Sequence, residues 1–278
     1  MNQYPSPMRD SIRTHARIAD KKLPGLSFIL SEPLPKPVAV FVADNALESN
    51  NPDLLIHFHG SKYVPENAVY NASQPLILAV ANLGFGSSVY EHAFEKPTAF
   101  PALIETILDS VSARKSIERK SPQIYLSSFS AGYGAVRAIL KNHLKRINGI
   151  ILLDGLHTDY VPTRQVLAKG GSLNSEKLAD FIKFGRLALA DQKKMLITHS
   201  EIFPGTYAST TETADYMIKS LNLQRDSVLK WGPNGMQLLS ETHQNGLTIL
   251  GFAGNSAPDH IDHFHGLPEF LNVILDKK

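Results

Sequence analysis

Cysteine is absent from the 278-residue chain. That inventory excludes disulfides, thiolate nucleophiles and cysteine-ligated zinc or iron-sulfur centres. Lys plus Arg number 28 against 26 Asp plus Glu, and neither sign gathers into a block that could track a phosphate backbone or an anionic membrane, so nucleic acid is not an expected partner. No stretch is long and uncharged enough to span a bilayer. The N-terminal MNQYPSPMRDSIRTHARIADKKLPG is polar and carries no apolar core of a signal peptide. These features place the chain in the cytoplasm, although an exported form with its leader removed would read the same way. Internal repeats and low-complexity tracts are also missing.

What is present is an ordinary globular composition, 43% apolar and 19% charged, in a chain long enough for one large domain over residues 1–278. Residues 26–30 and 38–43 are rich in β-branched and aromatic residues and read as an opening antiparallel pair. Short, almost continuously apolar runs follow at 53–60, 75–82, 123–130, 149–155, 194–200 and 247–254, as expected of parallel strands buried on both faces. Helical spacing separates several of them, over Thr98–Arg114, Ala131–Leu144, a stretch within 175–190, and Pro268–Leu275. Ser209-Thr210-Thr211-Glu212 reads as a capping box opening a helix through Leu221. Strands alternating with helices predict a doubly wound, mostly parallel α/β sheet with helices on both faces. Residues 156–192 fit either an inserted cap or an ordinary crossover with a long lead-in.

The strongest local signal is Ser128-Phe129-Ser130-Ala131-Gly132-Tyr133-Gly134, between an apolar strand and a helix. A strand turning sharply into a helix strains the central residue, so the positions two before and two after must be small. Here they are Ser128 and Gly132, the first departing from the usual glycine. In that geometry the Ser130 hydroxyl projects at the positive end of the helix, where the Ala131 amide can meet an oxyanion. A small-residue junction without chemistry is the plain alternative.

From about residue 26 to the C-terminus the sequence resembles the α/β-hydrolase superfamily of serine esterases and lipases. His59-Gly60 follows the third strand, Ser130 the fifth, carboxylates the sixth and seventh, and histidines the last, which is the family's order of serine, acid and histidine. The resemblance implies that the Ser61 amide is a second oxyanion donor beside Ala131. It makes His59 and Gly60 support for that loop, with His57 and His59 as bracing residues. In Asp259-His260-Ile261-Asp262-His263-Phe264-His265, His260 is the favoured base because it is reached first after the strand, and His263 is the alternative. For the acid, Asp154 is favoured because it closes a buried strand with a short side chain, and Glu201 is the alternative. Glu201 stands at the family's commoner position.

The expected activity is hydrolysis of a carboxylic ester of a small molecule, glycan or lipid through an acyl-enzyme, with amide or peptide hydrolysis as the alternative within the same mechanism. No cofactor is required. A metal-dependent hydrolase using His57/His59 and His260/His263 would leave the serine turn accidental. A non-catalytic binding protein of hydrolase fold would be favoured had serine or histidine been missing. Phe85, Tyr90, Phe181, Phe184 and Trp231 serve equally as pocket walls or core. The oligomeric state is not legible.

Overall fold

The computed structural model describes residues 17–115 and 121–276; the polar residues 1–16, on which the expectation of no leader rests, lie outside them. In chain order the strands are β1 (Gly25–Leu30), β2 (Val38–Ala43), β3 (Asp53–Phe58), β4 (Leu76–Ala81), β5 (Ile124–Phe129), β6 (Gly149–Leu153), β7 (Tyr160–Val161), β8 (Ser172–Leu173), β9 (Lys194–His199), β10 (Asp226–Trp231), β11 (Gln237–Gln244) and β12 (Leu247–Phe252). The helices are α1 (Asp44–Leu47), α2 (Tyr63–Tyr70), α3 (Ser87–Ala93), α4 (Ala99–Lys115), α5 (Tyr133–His143), α6 (Ala179–Leu189), α7 (Thr210–Ser220), α8 (Ala257–His265) and α9 (Leu267–Leu275). Ten strands form one mostly parallel sheet in the order β1-β2-β4-β3-β5-β6-β9-β12-β11-β10, with helices on both sides.

The described chain divides into two compact units. One comprises residues 18–151 and 267–276. Its β1 and β2 pair antiparallel, β2 meets β4 antiparallel, and β3 lies parallel between β4 and β5. Every residue of β4, Leu-Ile-Leu-Ala-Val-Ala, is buried, which is why the run is apolar without alternation. Each buried Leu or Ile there contributes roughly 1.5–3 kcal/mol. Helix α4 faces this core with Leu103, Ile104, Ile107 and Val111, spaced on one stripe.

The other unit comprises Arg17 and residues 152–266. In it β9 runs parallel to β12, while β11 and β10 add an antiparallel edge. That edge is missing from the expected strands because β10 is largely exposed and β11 alternates buried with half-buried positions, so neither makes a continuous apolar run. The turn between β11 and β12 is Asn245-Gly246, with Asn245 at a φ of 52°, the left-handed conformation that hairpins favour in Asn. Residues 156–192 hold the two-stranded β7–β8 pair and α6. Helix α7 starts at the expected capping box: the Ser209 hydroxyl accepts from the Glu212 amide and the Glu212 carboxylate accepts from the Ser209 amide.

Candidate active site

Within the first unit, β5 ends at Phe129 and Ser130 opens a 3-10 turn into α5. Ser130 has a φ of 48°, in the left-handed region that costs a residue with a Cβ about 1–3 kcal/mol and that concentrates at functional positions. The small neighbours have steric reasons. A Cβ at Gly132 would collide with the Phe58 carbonyl oxygen, and one at Gly134 with the Ser87 carbonyl oxygen, so α5 can approach β3 and α3 only with glycine at both places. Ser128, at the position usually held by glycine, is fully buried.

The loop after β3 is strained as well, with His59 at φ 72° and Gly60 at φ 113°. His57 braces it from below. Burial pushes the His57 imidazole down to about 3, so the ring is neutral and has one N–H to give. Its Nε2 lies 2.8 Å from the His59 carbonyl, which can only accept. Nε2 therefore carries the proton and Nδ1 accepts from the Ser127 hydroxyl at 2.6 Å. His59 in turn meets Tyr90 Oη through Nδ1 at 2.8 Å and stacks on Phe129, the residue before Ser130, at 6.0 Å between centroids. Ser61, next in the chain, is exposed, and its carbonyl accepts from the Val64 amide at the start of α2.

Within the second unit, Asp154 follows β6 at φ 41° and is buried. Its Oδ2 accepts from His260 Nδ1 at 2.7 Å and from the Ser200 hydroxyl at 2.8 Å. Its Oδ1 accepts from the Ser200 amide at 2.9 Å and from the Thr210 hydroxyl at 2.6 Å. Burial alone would raise this carboxyl. The imidazole of His263, the hydrogen bond and field of His260 and the bond from Thr210 outweigh it and hold Asp154 well below the usual carboxylate range.

The expected loop of histidines is a helix. α8 begins with the capping box of Ser256 and Asp259, with Pro258 in its first turn, so Asp259 caps the helix. His260 is half-buried and faces Asp154; His263, three residues on, is wholly buried, meets Thr198 Oγ1 at 2.7 Å and packs edge-on against Phe252. Burial holds His263 below the ordinary imidazole range. Glu201 is exposed and ties two loops together, its amide donating to the Gly254 carbonyl and its carboxylate accepting from the Gly254 amide. Ser200 and Thr210, in contact with Asp154, were not among the residues expected from sequence; the only signals were a serine ending an apolar run and a threonine beside a helix cap.

Among the expected wall residues, Tyr90, Phe181 and Phe184 are fully buried core, whereas Phe85 and Trp231 are exposed. Among the described residues no group of three or more His, Asp and Glu side chains is gathered as a metal ion would require.

No family model matches the chain. A 157-residue segment is 26% identical to the protein translocase subunit SecY of Halalkalibacterium halodurans, covering 55% of this chain and 34% of that protein. The match thus spans about a third of that relative. No helix among the described residues is long and apolar enough to cross a membrane. Solved structures give a broader likeness. The enterobactin esterase from Shigella flexneri, determined in the presence of 2,3-dihydroxy-N-benzoyl-serine, superposes with a TM-score of 0.55 at 11% identity over 93% of this chain and 60% of that one. The feruloyl esterase module from Clostridium thermocellum, a serine-to-alanine mutant complexed with sinapinate, gives 0.50 at 12% identity over 96% and 93%. The chain has the α/β-hydrolase fold. Ser130 stands in the turn after β5, His59-Gly60 in the loop after β3 and His260 on the helix after β12.

Proposed function

We propose that the protein is a serine hydrolase of carboxylic esters, with Ser130 as nucleophile, His260 as base and Asp154 as the acid that orients it. The observation that carries this reading is the 2.7 Å hydrogen bond between His260 Nδ1 and the buried Asp154 carboxylate, in a hydrolase fold whose fifth strand ends on a strained serine. The esterase names of the structural neighbours support the reaction class.

The chemistry follows from the proton positions. Asp154 is ionised and can only accept, so His260 Nδ1 carries a hydrogen, which leaves Nε2 to bear the lone pair in the neutral ring that acts as base. In the proposed reaction Nε2 takes the Ser130 proton as Oγ attacks the ester carbonyl, and the amides of Ala131 and Ser61 hold the oxyanion. The tetrahedral adduct collapses, the imidazolium protonates the departing alkoxide, and a water activated by His260 hydrolyses the acyl-enzyme. Asp154 stays ionised throughout and stabilises the imidazolium. Ester leaving groups need less protonation than amines, which favours an ester over an amide. The substrate class is a small-molecule, glycan or lipid ester, and residues 156–192 are the insertion that would shape access to it.

Rapid mixing with p-nitrophenyl acetate tests the reading. A burst of about one nitrophenolate per chain, absent in Ser130→Ala, is expected; a burst or steady turnover surviving in Ser130→Ala removes Ser130 as nucleophile.

A further inference from the structure

The carboxylate of Asp154 is more fully engaged than an acid that only orients one imidazole requires. A carboxylate offers about four acceptor positions. The Ser200 amide and the Thr210 hydroxyl occupy Oδ1, while the Ser200 hydroxyl and His260 Nδ1 occupy Oδ2. The direction of these bonds is fixed. Ser200 Oγ accepts from the Ile202 amide at 3.3 Å and gives its own hydrogen to Asp154. Thr210 faces a group that can only accept, and as the first residue of the eleven-residue α7 it sets the carboxylate at that helix's positive end. Ser200 and Thr210 are both buried, so water does not compete for these donors.

We infer that Ser200 and Thr210 are positioning residues of the reaction, which hold Asp154 ionised and unable to turn by occupying every acceptor site that His260 leaves. This rests on the reading of Asp154 as the acid. A proton arriving on either oxygen would have to displace one of the donors. A rotated carboxylate would have to give up two at once. Ser200 stands immediately before Glu201, at the strand end where the family more often keeps its acid, so this position contributes donors to an acid carried on the neighbouring strand end.

The groups facing Asp154 are His260 and His263 on α8, His199 on β9 and His157 after β6. Burial holds His157, His199 and His263 below the ordinary imidazole range. Their protonation on acidification is common to all variants, so differences between variants isolate the carboxylate.

The test compares Thr210→Val, Thr210→Ser and Ser200→Ala in the full chain, by turnover on one activated ester and by denaturant midpoint from pH 7 to pH 3. Turnover should fall on the order of tenfold in Thr210→Val and Ser200→Ala with KM little changed, and recover in Thr210→Ser. A depressed carboxylate contributes stability that is fully present above its unfolded value near 4 and is lost progressively as pH falls from there through its folded value. The unfolded chain is common to both proteins, so the midpoint gap between wild type and Thr210→Val follows the folded carboxyl alone: it should be widest at pH 7 and narrow on acidification only where the variant's carboxyl, relieved of a donor, takes up a proton before the wild type's does. A Thr210→Ser protein as impaired as Thr210→Val in turnover and midpoint, or full turnover in Thr210→Val and Ser200→Ala, overturns the inference, because the hydroxyls would then do nothing for the carboxylate. Full turnover in Asp154→Asn overturns the acid assignment instead. The two failures are told apart because the midpoint comparison of Thr210→Val with Thr210→Ser requires no catalysis.

Discussion

At the scale of single residues, the proposed site residues share backbone that ordinary side chains avoid. Ser130, His59 and Asp154 all have positive φ, and none is a glycine. In the sequence Ser130 stands out through its small neighbours, and Asp154 through an apolar run that stops at a carboxylate. It favours Asp154 over Glu201 only for a shorter side chain and a sharper strand end, since two strand ends each offer an acid and nothing linear says which one meets the imidazole. In the structure Asp154 is buried under four donors, while Glu201 is exposed and bound to Gly254. Asp154→Asn should accordingly lose on the order of 10⁴ in turnover, the loss seen when the aspartate of a serine-protease triad becomes asparagine, with circular dichroism unchanged. Glu201→Gln should lose only a few-fold, because an amide oxygen still accepts from Gly254. A crippled Glu201→Gln beside a near-normal Asp154→Asn would place the acid after β9.

At the scale of elements, parallel strands were legible because burial on both faces writes an uninterrupted apolar run, as in β4 and β6. Helix α8 was not, because its apolar residues are few and its first turn is Ala-Pro-Asp, which reads as a loop until the capping box of Ser256 and Asp259 is noticed. That helix separates the two candidate bases: the three-residue spacing of His260 and His263 sends one to Asp154 and the other to Thr198. The junction between β5 and α5 depends on two close approaches. Gly134→Ala should destabilise by about 1–3 kcal/mol, because the new Cβ meets the backbone oxygen of Ser87 and not a movable side chain. Lys141→Ala, exposed on the same helix, should change stability by less than about 0.5 kcal/mol. Thermal melts of both variants decide it, and an unaffected Gly134→Ala would mean that α3 yields freely.

At the scale of the molecule, titration of buried histidines ties stability to pH. Burial, aided at His199 by the Arg225 guanidinium, lowers His57 and His199 to about 3, against about 6.5 in an unfolded chain. Between those values the unfolded chain binds more protons than the folded one, so unfolding free energy must rise with pH across that interval and fall on acidification. His157 and His263 are shifted in the same direction. Urea midpoints should therefore decline steadily from pH 7 to pH 4.5. A flat or rising profile would mean that these rings are protonated in the folded protein. Composition and charge reveal nothing of this behaviour, because it depends on which histidines are enclosed.

If Ser130 is the nucleophile, its hydroxyl alone should react with an electrophile that mimics a tetrahedral acyl intermediate. The most direct measurement is labelling of the folded protein with a fluorophosphonate probe, followed by peptide mapping of the adduct. One probe per chain on Ser130, abolished in Ser130→Ala and slowed by orders of magnitude in His260→Ala, is the result predicted. Adducts on another serine, or no adduct on a folded protein that hydrolyses esters, would contradict the account.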